Sequence, residues 1–487
     1  MKYRELLMRN SFRLITGLFL ALLILSCKNQ SESVENNEEV VQATGFDDPW
    51  KRADEIVKSI QIPEFHDRVI NVVDYGATAD RTSTGLTAFN KAIEACAEAG
   101  GGKVLVPKGI YLTGPIHLKS NVNLHLEEGA EVKFSTNEKD YLPVVHTSFE
   151  GMEFMNYSPL IYAYQQKNIA VTGKGTFNGQ AGKENWWPWK GQEEYGYKEG
   201  GVQQHDAHNL PRLSEMVEKG TPVSDRVFGD GHQFRPAFFQ PFECENVLIQ
   251  GVTFVNAPFW VMHPVKSNYV TVKDVNVISH GPNNDGCNPE YSKNVHITGC
   301  MFDTGDDCIA IKSGRDNDGR RVGISSENIV IENCTMKEGH GGVVMGSEIS
   351  GGVRNVFVRN NTMSSPNLDR AIRIKTNTRR GGTIENIYVK DLEVGQVKEA
   401  VLRINTHYAI YDNQEGEFMP VIRNIFLENV NVEDGGKYGI LIKGREESPV
   451  KNVQLKNVTI KSTEIPLSVE HSDPIIFENT TINGKEY

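Results

Sequence analysis

A nine-residue phrase that recurs along most of the chain constrains its fold more than any other feature. The phrase runs Asn, apolar, free, apolar, free, then Gly, Asn or Asp, followed by a shorter apolar beat. It reads NVLIQGVTF from 246, YVTVKDVNV from 269, NVHITGCMF from 294 and NIVIENCTM from 328. It continues as NVFVRNNTM from 355, NIYVKDLEV from 386, NIFLENVNV from 424 and NVQLKNVTI from 452, with looser copies from Asn121 and Asn168. Each copy holds two alternating apolar patterns about a turn-prone residue, which predicts two short strands joined by a bend. One such unit cannot bury its own apolar face, whereas stacked units build a continuous core with strands about 4.8 Å apart. The expected fold is all-β, a right-handed parallel β-helix. A β-propeller is the alternative, but its blades are more uniform and longer, and the leucine spacing of a leucine-rich repeat is absent. The leading Asn residues suit turn geometry and amide ladders along the stack.

An open stack needs a lid. Leu86, Phe89, Ile93 and Cys96 have helical spacing, with Ser83 or Thr84 as N-cap and Gly100-Gly101-Gly102 as the stop, so an N-terminal capping helix is expected. Residues 178–243 interrupt the repeat. They carry Trp186-Trp187-Pro188-Trp189, His205, His208, His232 and a short helical pattern near Leu213–Lys219. An insertion of this size is expected to be built over the binding face.

The start of the chain reads as an export signal over residues 1–26: a basic stretch (Lys2, Arg4, Arg9, Arg13), then an apolar run from Leu14 to Leu25. Ile24-Leu25-Ser26-Cys27 resembles a bacterial lipoprotein box, which implies acylation of Cys27 and a lipid anchor in a bacterial membrane, outer-membrane or periplasm-facing. Residues 27–60 read as a flexible tether and 61–487 as the β-helix. Six further cysteines (Cys96, Cys244, Cys287, Cys300, Cys308, Cys334) permit disulfides but match no zinc spacing. Cys300 and Cys334 share a register and are expected as buried free thiols. With 63 acidic and 51 basic residues the chain is anionic, which argues against nucleic acid as a partner. An acidic substrate would need a local basic pocket. A monomer is expected.

Four polar clusters follow the strand phrases of four consecutive coils: Asn283-Asn284-Asp285-Gly286, Gly305-Asp306-Asp307, Gly339-His340-Gly341 and Arg373-Ile374-Lys375. In a solenoid these positions can line one cleft, with Arg373 and Lys375 projecting to the same side of a strand. Three carboxylates, an imidazole and two cations suit hydrolysis of a negatively charged sugar chain. Crowded carboxylates resist joint ionisation, so one can keep the proton for the leaving oxygen while another takes a proton from water. The cations would hold a substrate carboxylate.

NNDG, GDD, GHG and RIK, in this order on a β-helix, resemble the polygalacturonase family, glycoside hydrolase family 28, from about Val69 to the C-terminus. The resemblance implies a pectin-lyase-like solenoid and inverting hydrolysis of α-linked galacturonides in pectic oligo- or polysaccharides, without metal or cofactor. By motif position, Asp306 would be the general acid, Asp285 and Asp307 would hold and deprotonate the attacking water, and His340 would keep Asp306 protonated. Arg373 and Lys375 would bind the galacturonate carboxylate, with Asn283 a further substrate contact. The inverting geometry implies an acid-to-base separation of about 6.5–9.5 Å. Asn284 stands where the fungal form commonly has Thr.

The insertion is expected to wall off one end of the cleft and make the enzyme exo-acting, with His232 and Arg235 as candidate contacts to a terminal sugar. The alternatives are a rhamnogalacturonan or other uronide hydrolase, or a non-catalytic surface glycan-binding β-helix. A lyase would call for calcium ligands and a basic proton abstractor.

Overall fold

Each repeat forms its two expected strands, as in Asn268–Lys273 with Asn276–Ser279 and Lys293–Thr298 with Met301–Thr304. The computed structural model describes residues 48–79, 86–408 and 416–487. The export signal, Cys27, the tether up to residue 47 and the candidate caps Ser83 and Thr84 lie outside the described residues. Successive coils pair in parallel and in register. Val247, Val270, Val295, Ile329, Val356, Ile387, Ile425 and Val453 make one inward column through eight rungs. All eight are buried, and each contributes about 1.5–3 kcal/mol by leaving water. The architecture is the expected right-handed parallel β-helix.

A third strand completes each coil and forms a second parallel sheet: Ile309–Ile311, Val343–Gly346, Arg370–Lys375, Ala400–Asn405, Tyr438–Lys443 and Ile465–Glu470. The functional clusters sit on this strand or at the corner leading into it.

The repeat asparagines serve the bend. Asn294, Asn328, Asn355, Asn386, Asn424 and Asn452 all have φ between 52° and 60°, a left-handed conformation that costs most L-residues about 1–2 kcal/mol. Each also donates its side-chain amide to the Asn oxygen of the preceding rung, at 2.8–3.2 Å. Where the phrase begins with Tyr269, Asn268 supplies the amide acceptor instead.

The lid helix is Ala88–Glu98, burying Ala88, Phe89, Ala92, Ile93 and Cys96 over the first rungs; its N-cap is Thr87. The tether reading fails over its last part. Pro49–Ser59 is a helix, capped by the Asp48 side chain accepting from Lys51 N–H and started by Pro49. Its Ala53 and Ile56, with Ile60, pack on Val330, Phe357 and Tyr388 of the outer sheet face. The few apolar residues of this stretch fall on one helical face, so it docks instead of remaining a spacer. All six described cysteines are buried free thiols.

The insertion leaves after Thr176–Asn178, and regular pairing resumes at Phe239–Phe242. It carries one helix, Leu210–Glu218, which packs with an antiparallel hairpin, Val145–Phe149 and Met152–Asn156, that the repeat pattern does not announce. Phe149, Phe154, Leu213, Phe228, Phe234 and Phe259 form their common core. Buried Arg226 clamps the assembly through Asp318 Oδ2 at 2.7 Å and the Glu153 carbonyl at 3.0 Å.

The dual role of the ladder predicts graded losses. Asn328→Ala should cost about 2 kcal/mol through backbone strain and the lost amide bonds, and Asn328→Gly about half as much. Equal losses in a urea titration would remove the backbone part of this account.

Candidate active site

The site is built on adjacent rungs. Cys287 bridges to Ile309, so Asp285 and Asp307 occupy the same position one rung apart, and Gly286 N–H donates to the Asp307 carbonyl at 3.0 Å. One oxygen from each of Asp285, Asp306 and Asp307 lies within 4.8 Å of the others. The implied 6.5–9.5 Å separation is therefore not found between these nearest oxygens. Rung spacing, about 4.8 Å, sets how far apart side chains facing the same way can be.

Each carboxylate has its own surroundings. Asp307 accepts from Lys375 Nζ at 2.7 Å and Arg373 Nη1 at 3.2 Å. Burial works to raise it, but these two cations prevail and hold it below the usual range. Asp306 Oδ1 accepts from its neighbour's N–H at 2.9 Å and meets His340 Nδ1 at 3.0 Å. Burial again opposes ionisation, and the His340 hydrogen bond and charge overcome it, so Asp306 is held ionised. The same bond pushes His340 up to about 9. Asp285 has the weakest support, an Asn288 amide at 2.8 Å and Lys312 Nζ at 3.7 Å. Burial, then repulsion from Asp306, pushes it up to about 8.

These shifts run opposite to the proton placement that the family pattern implies, in which Asp306 holds the acid's proton. Within the acidic trio, burial and repulsion favour the proton on Asp285 over Asp306 and Asp307, and the Asp306 carboxylate favours a protonated His340. Titration belongs to the coupled set, since each charge alters its neighbours.

Local geometry explains the glycines of GHG. A Cβ at Gly339 would fall 2.7 Å from the Asp306 carbonyl oxygen. That close approach lets His340 N–H donate to the same carbonyl at 3.1 Å. Arg373 and Lys375 alternate with buried Ile372 and Ile374, so both cations point out of the core. Asn284 is consumed by the loop, accepting from Ser279 Oγ at 2.6 Å and Gly281 N–H at 2.9 Å.

These residues line a hollow of about 230 Å³, with Asn283, Lys312, Glu348, Trp260 and Tyr408. Glu150 of the hairpin and Lys190, Gln192 and Tyr195 of the insertion close it. The insertion therefore does lie over the binding face. A larger groove of about 1030 Å³, beside Pro63 and Phe65, shares no residue with the hollow.

Neither insertion residue proposed from the sequence lines the hollow. His232 bonds Asn209 at 2.9 Å and packs edge-on against Phe228, at the edge of the insertion's aromatic core. Arg235 is buried and donates to the Pro258 and Pro282 carbonyls, to Gln204 and to Asn283 Oδ1 at 2.8 Å. It positions Asn283 and does not reach the hollow. The tryptophans are also structural: Trp187 Nε1 donates to the Ala257 carbonyl at 2.9 Å, and Trp186 stacks edge-on with Tyr141 and Trp189.

Lys312 and Glu348 are the main residues that the motifs omit. Lys312 donates to Glu348 at 2.9 Å and lies 4.5 Å from the Trp260 ring centre. Its signal was available in register. Ile311, Met345 and Ile374 share a column, so Lys312 precedes Lys375 at the same position two rungs earlier. Tyr408, whose ring centre lies 5.3 Å from Lys375 Nζ, belongs to a loop with no pattern to reveal it.

A parallel β-helix whose rungs gather carboxylates, imidazole and cations in one hollow defines a glycosidase. The family model described as Glycosyl hydrolases family 28 matches residues 224–474, and the chain belongs to that family. A hyperthermoactive exopolygalacturonase from Thermotoga maritima is 45% identical with a TM-score of 0.87, over 90% of this chain and 97% of that one. The exo-poly-alpha-D-galacturonosidase of Dickeya chrysanthemi is 25% identical, covering 86% of this chain and 71% of its own length. A probable polygalacturonase of Vitis vinifera is 27% identical, over 81% and 76%.

The raised Asp285 fixes the sign of a stability effect. Unfolded, it ionises near 3.8; folded, it keeps its proton to about 8. Stability therefore falls as pH rises through that window, because folding must retain a proton the unfolded chain releases. Asp285→Asn cannot ionise. It should melt with the wild type near pH 4 and at least ~2 °C above it at pH 8; a constant offset across this range would overturn the assignment.

Proposed function

We propose that this protein is an exo-acting hydrolase of α-linked galacturonides, the acidic sugars of pectin, working with inversion at the anomeric carbon. The observation that carries the reading is the hollow itself, in which a carboxylate trio meets an imidazole and the Arg373–Lys375 pair. Its volume, about 230 Å³, is below the ~300–1,000 Å³ usual for small-ligand sites. That suits a chain end better than the middle of a polymer. Support also comes from the similar exo-acting proteins of Thermotoga and Dickeya.

In this reading Asp306 gives a proton to the glycosidic oxygen, and His340 holds that proton until the sugar covers the hollow. Water enters between Asp285 and Asp307, and ionised Asp307 accepts its proton as the new C–O bond forms on the opposite face of the ring. Arg373 and Lys375 turn from Asp307 toward the galacturonate carboxylate beside the scissile bond, which frees Asp307 to act as base. The proton gained there equals the one lost at Asp306, and exchange with solvent restores both.

Asp306→Asn should lower kcat by about 10²–10⁴-fold while leaving the fold intact. With the wild type, chromatography of digests of digalacturonate, trigalacturonate and polymer should show galacturonate monomer from every length. Internal fragments, or turnover of rhamnogalacturonan alone, would redirect the assignment.

We extend the proposal to location: residues 1–26 direct export, and Cys27 carries the lipid that holds a monomeric enzyme on a bacterial membrane. Cys27→Ser should move the protein from the detergent-extracted membrane fraction to the soluble one; unchanged membrane association would refute the anchor.

A further inference from the structure

Most charges around the hollow pair off, with Asp285 sharing Lys312 at 3.7 Å. Asp306 is met by His340, Asp307 by Arg373 and Lys375, Glu348 by Lys312, and Glu150 by Arg315 at 2.9 Å. Lys190 also lines the hollow, where Glu150, Asp306 and Asp285 act on it through space. Its backbone is firmly held. It ends the short helical turn Trp187–Lys190, whose Trp189 carbonyl accepts from Gln204 N–H at 2.8 Å. The turn is fixed to the solenoid by Trp187, whose ring occupies the space beside Gly281 where a Cβ would lie 2.3 Å from it.

Rung order places this cation opposite the known pair. The insertion returns at Phe239–Phe242, followed by bridges from Phe239 to Met262, Met262 to Cys287 and Cys287 to Ile309. From Ile309 the sheet continues to Val343 and then Ile372. Asp285, Asp306 and Asp307 belong to the middle rungs. Arg373 and Lys375 lie beyond them on one side, and Lys190 comes from the insertion on the other.

The geometry points to Lys190 as the residue that binds the carboxylate of the second uronate, on the far side of the scissile bond from Arg373 and Lys375. This rests on the galacturonide reading and deepens it: the hollow selects an acidic sugar at both positions, not only beside Arg373. Burial depresses the Lys190 ammonium from its ordinary value, outweighing the pull of Glu150, Asp306 and Asp285. An arriving carboxylate would supply further counter-charge. Tyr195 and Gln192 are placed to contact the same sugar's hydroxyls.

The test is calorimetric binding to the full-length Asp306→Asn protein, using digalacturonate and the two disaccharides in which one galacturonate is replaced by galactose. Each replacement should weaken binding about tenfold or more. Adding Lys190→Gln should erase the penalty at one end and leave the other, while Lys190→Arg should keep both. Equal weakening of all three ligands by Lys190→Gln, or both penalties surviving it, would overturn the inference. Should Lys190→Gln fail to fold, Asp306→Asn protein that tolerates galactose at either end without loss would overturn it equally. Uronate binding of this pattern without hydrolysis by the wild type would sink the proposed activity and leave Lys190's role standing. Hydrolysis with binding indifferent to Lys190 would do the reverse.

Discussion

Parallel rungs about 4.8 Å apart are the constraint on which the rest of this molecule depends. The spacing stacks each inward Val or Ile on its counterpart in the next coil, so a core forms from units that could not fold alone. It also dictates how close chemically active side chains come. Asp285 and Asp307 point the same way from neighbouring rungs, and their carboxylates must share a space too small for both to ionise freely. The fold thus produces the charge conflict that acid–base chemistry needs.

How that conflict resolves depends on what surrounds each acid. Asp307 has two cations, Asp306 has an imidazole, and Asp285 has a neutral amide and a lysine already committed to Glu348. Such buried groups are costly when half-satisfied, which is why the hollow carries nearly matched charge. A substrate bearing carboxylates enters this balance as a participant. It competes with Asp307 for Arg373 and Lys375 and thereby changes the proton affinity of the groups that attack the bond.

Much of this was legible in the chain because the β-helix repeats itself. The Asn-led phrase announces both the strand pairs and the left-handed bend, and four motifs in matching order bring Asp285, Asp306, Asp307, His340, Arg373 and Lys375 together. Legibility stops where periodicity stops. The hairpin at 145–156 and the helix at 49–59 hold their places by tertiary packing, and nothing in a repeat encodes them. His232 and Arg235 looked like sugar contacts because of their chemistry, yet His232 bonds within the insertion and Arg235 ties it to the Pro258 and Pro282 carbonyls while orienting Asn283. Lys312 was hidden for the opposite reason, being a lone lysine whose meaning appears only when rungs are aligned. Motif order says which acids meet and nothing about the order in which they ionise, so the place of the proton is not legible in the sequence.

The wall over the hollow leaves the solenoid after Asn178 and rejoins it at Phe239, between strands, so the ladder above and below runs on as though it were absent. Its aromatic core, shared with the hairpin and Phe259, and the Arg226–Asp318 clamp seat it against the coils without entering the ladder. Floor and wall are therefore different segments of the chain: the rungs carry the acids, and the excursion closes the hollow over them. On the exo reading proposed above, exchanging this excursion would turn a chain-end trimmer into an internal cutter while leaving the acids on their rungs.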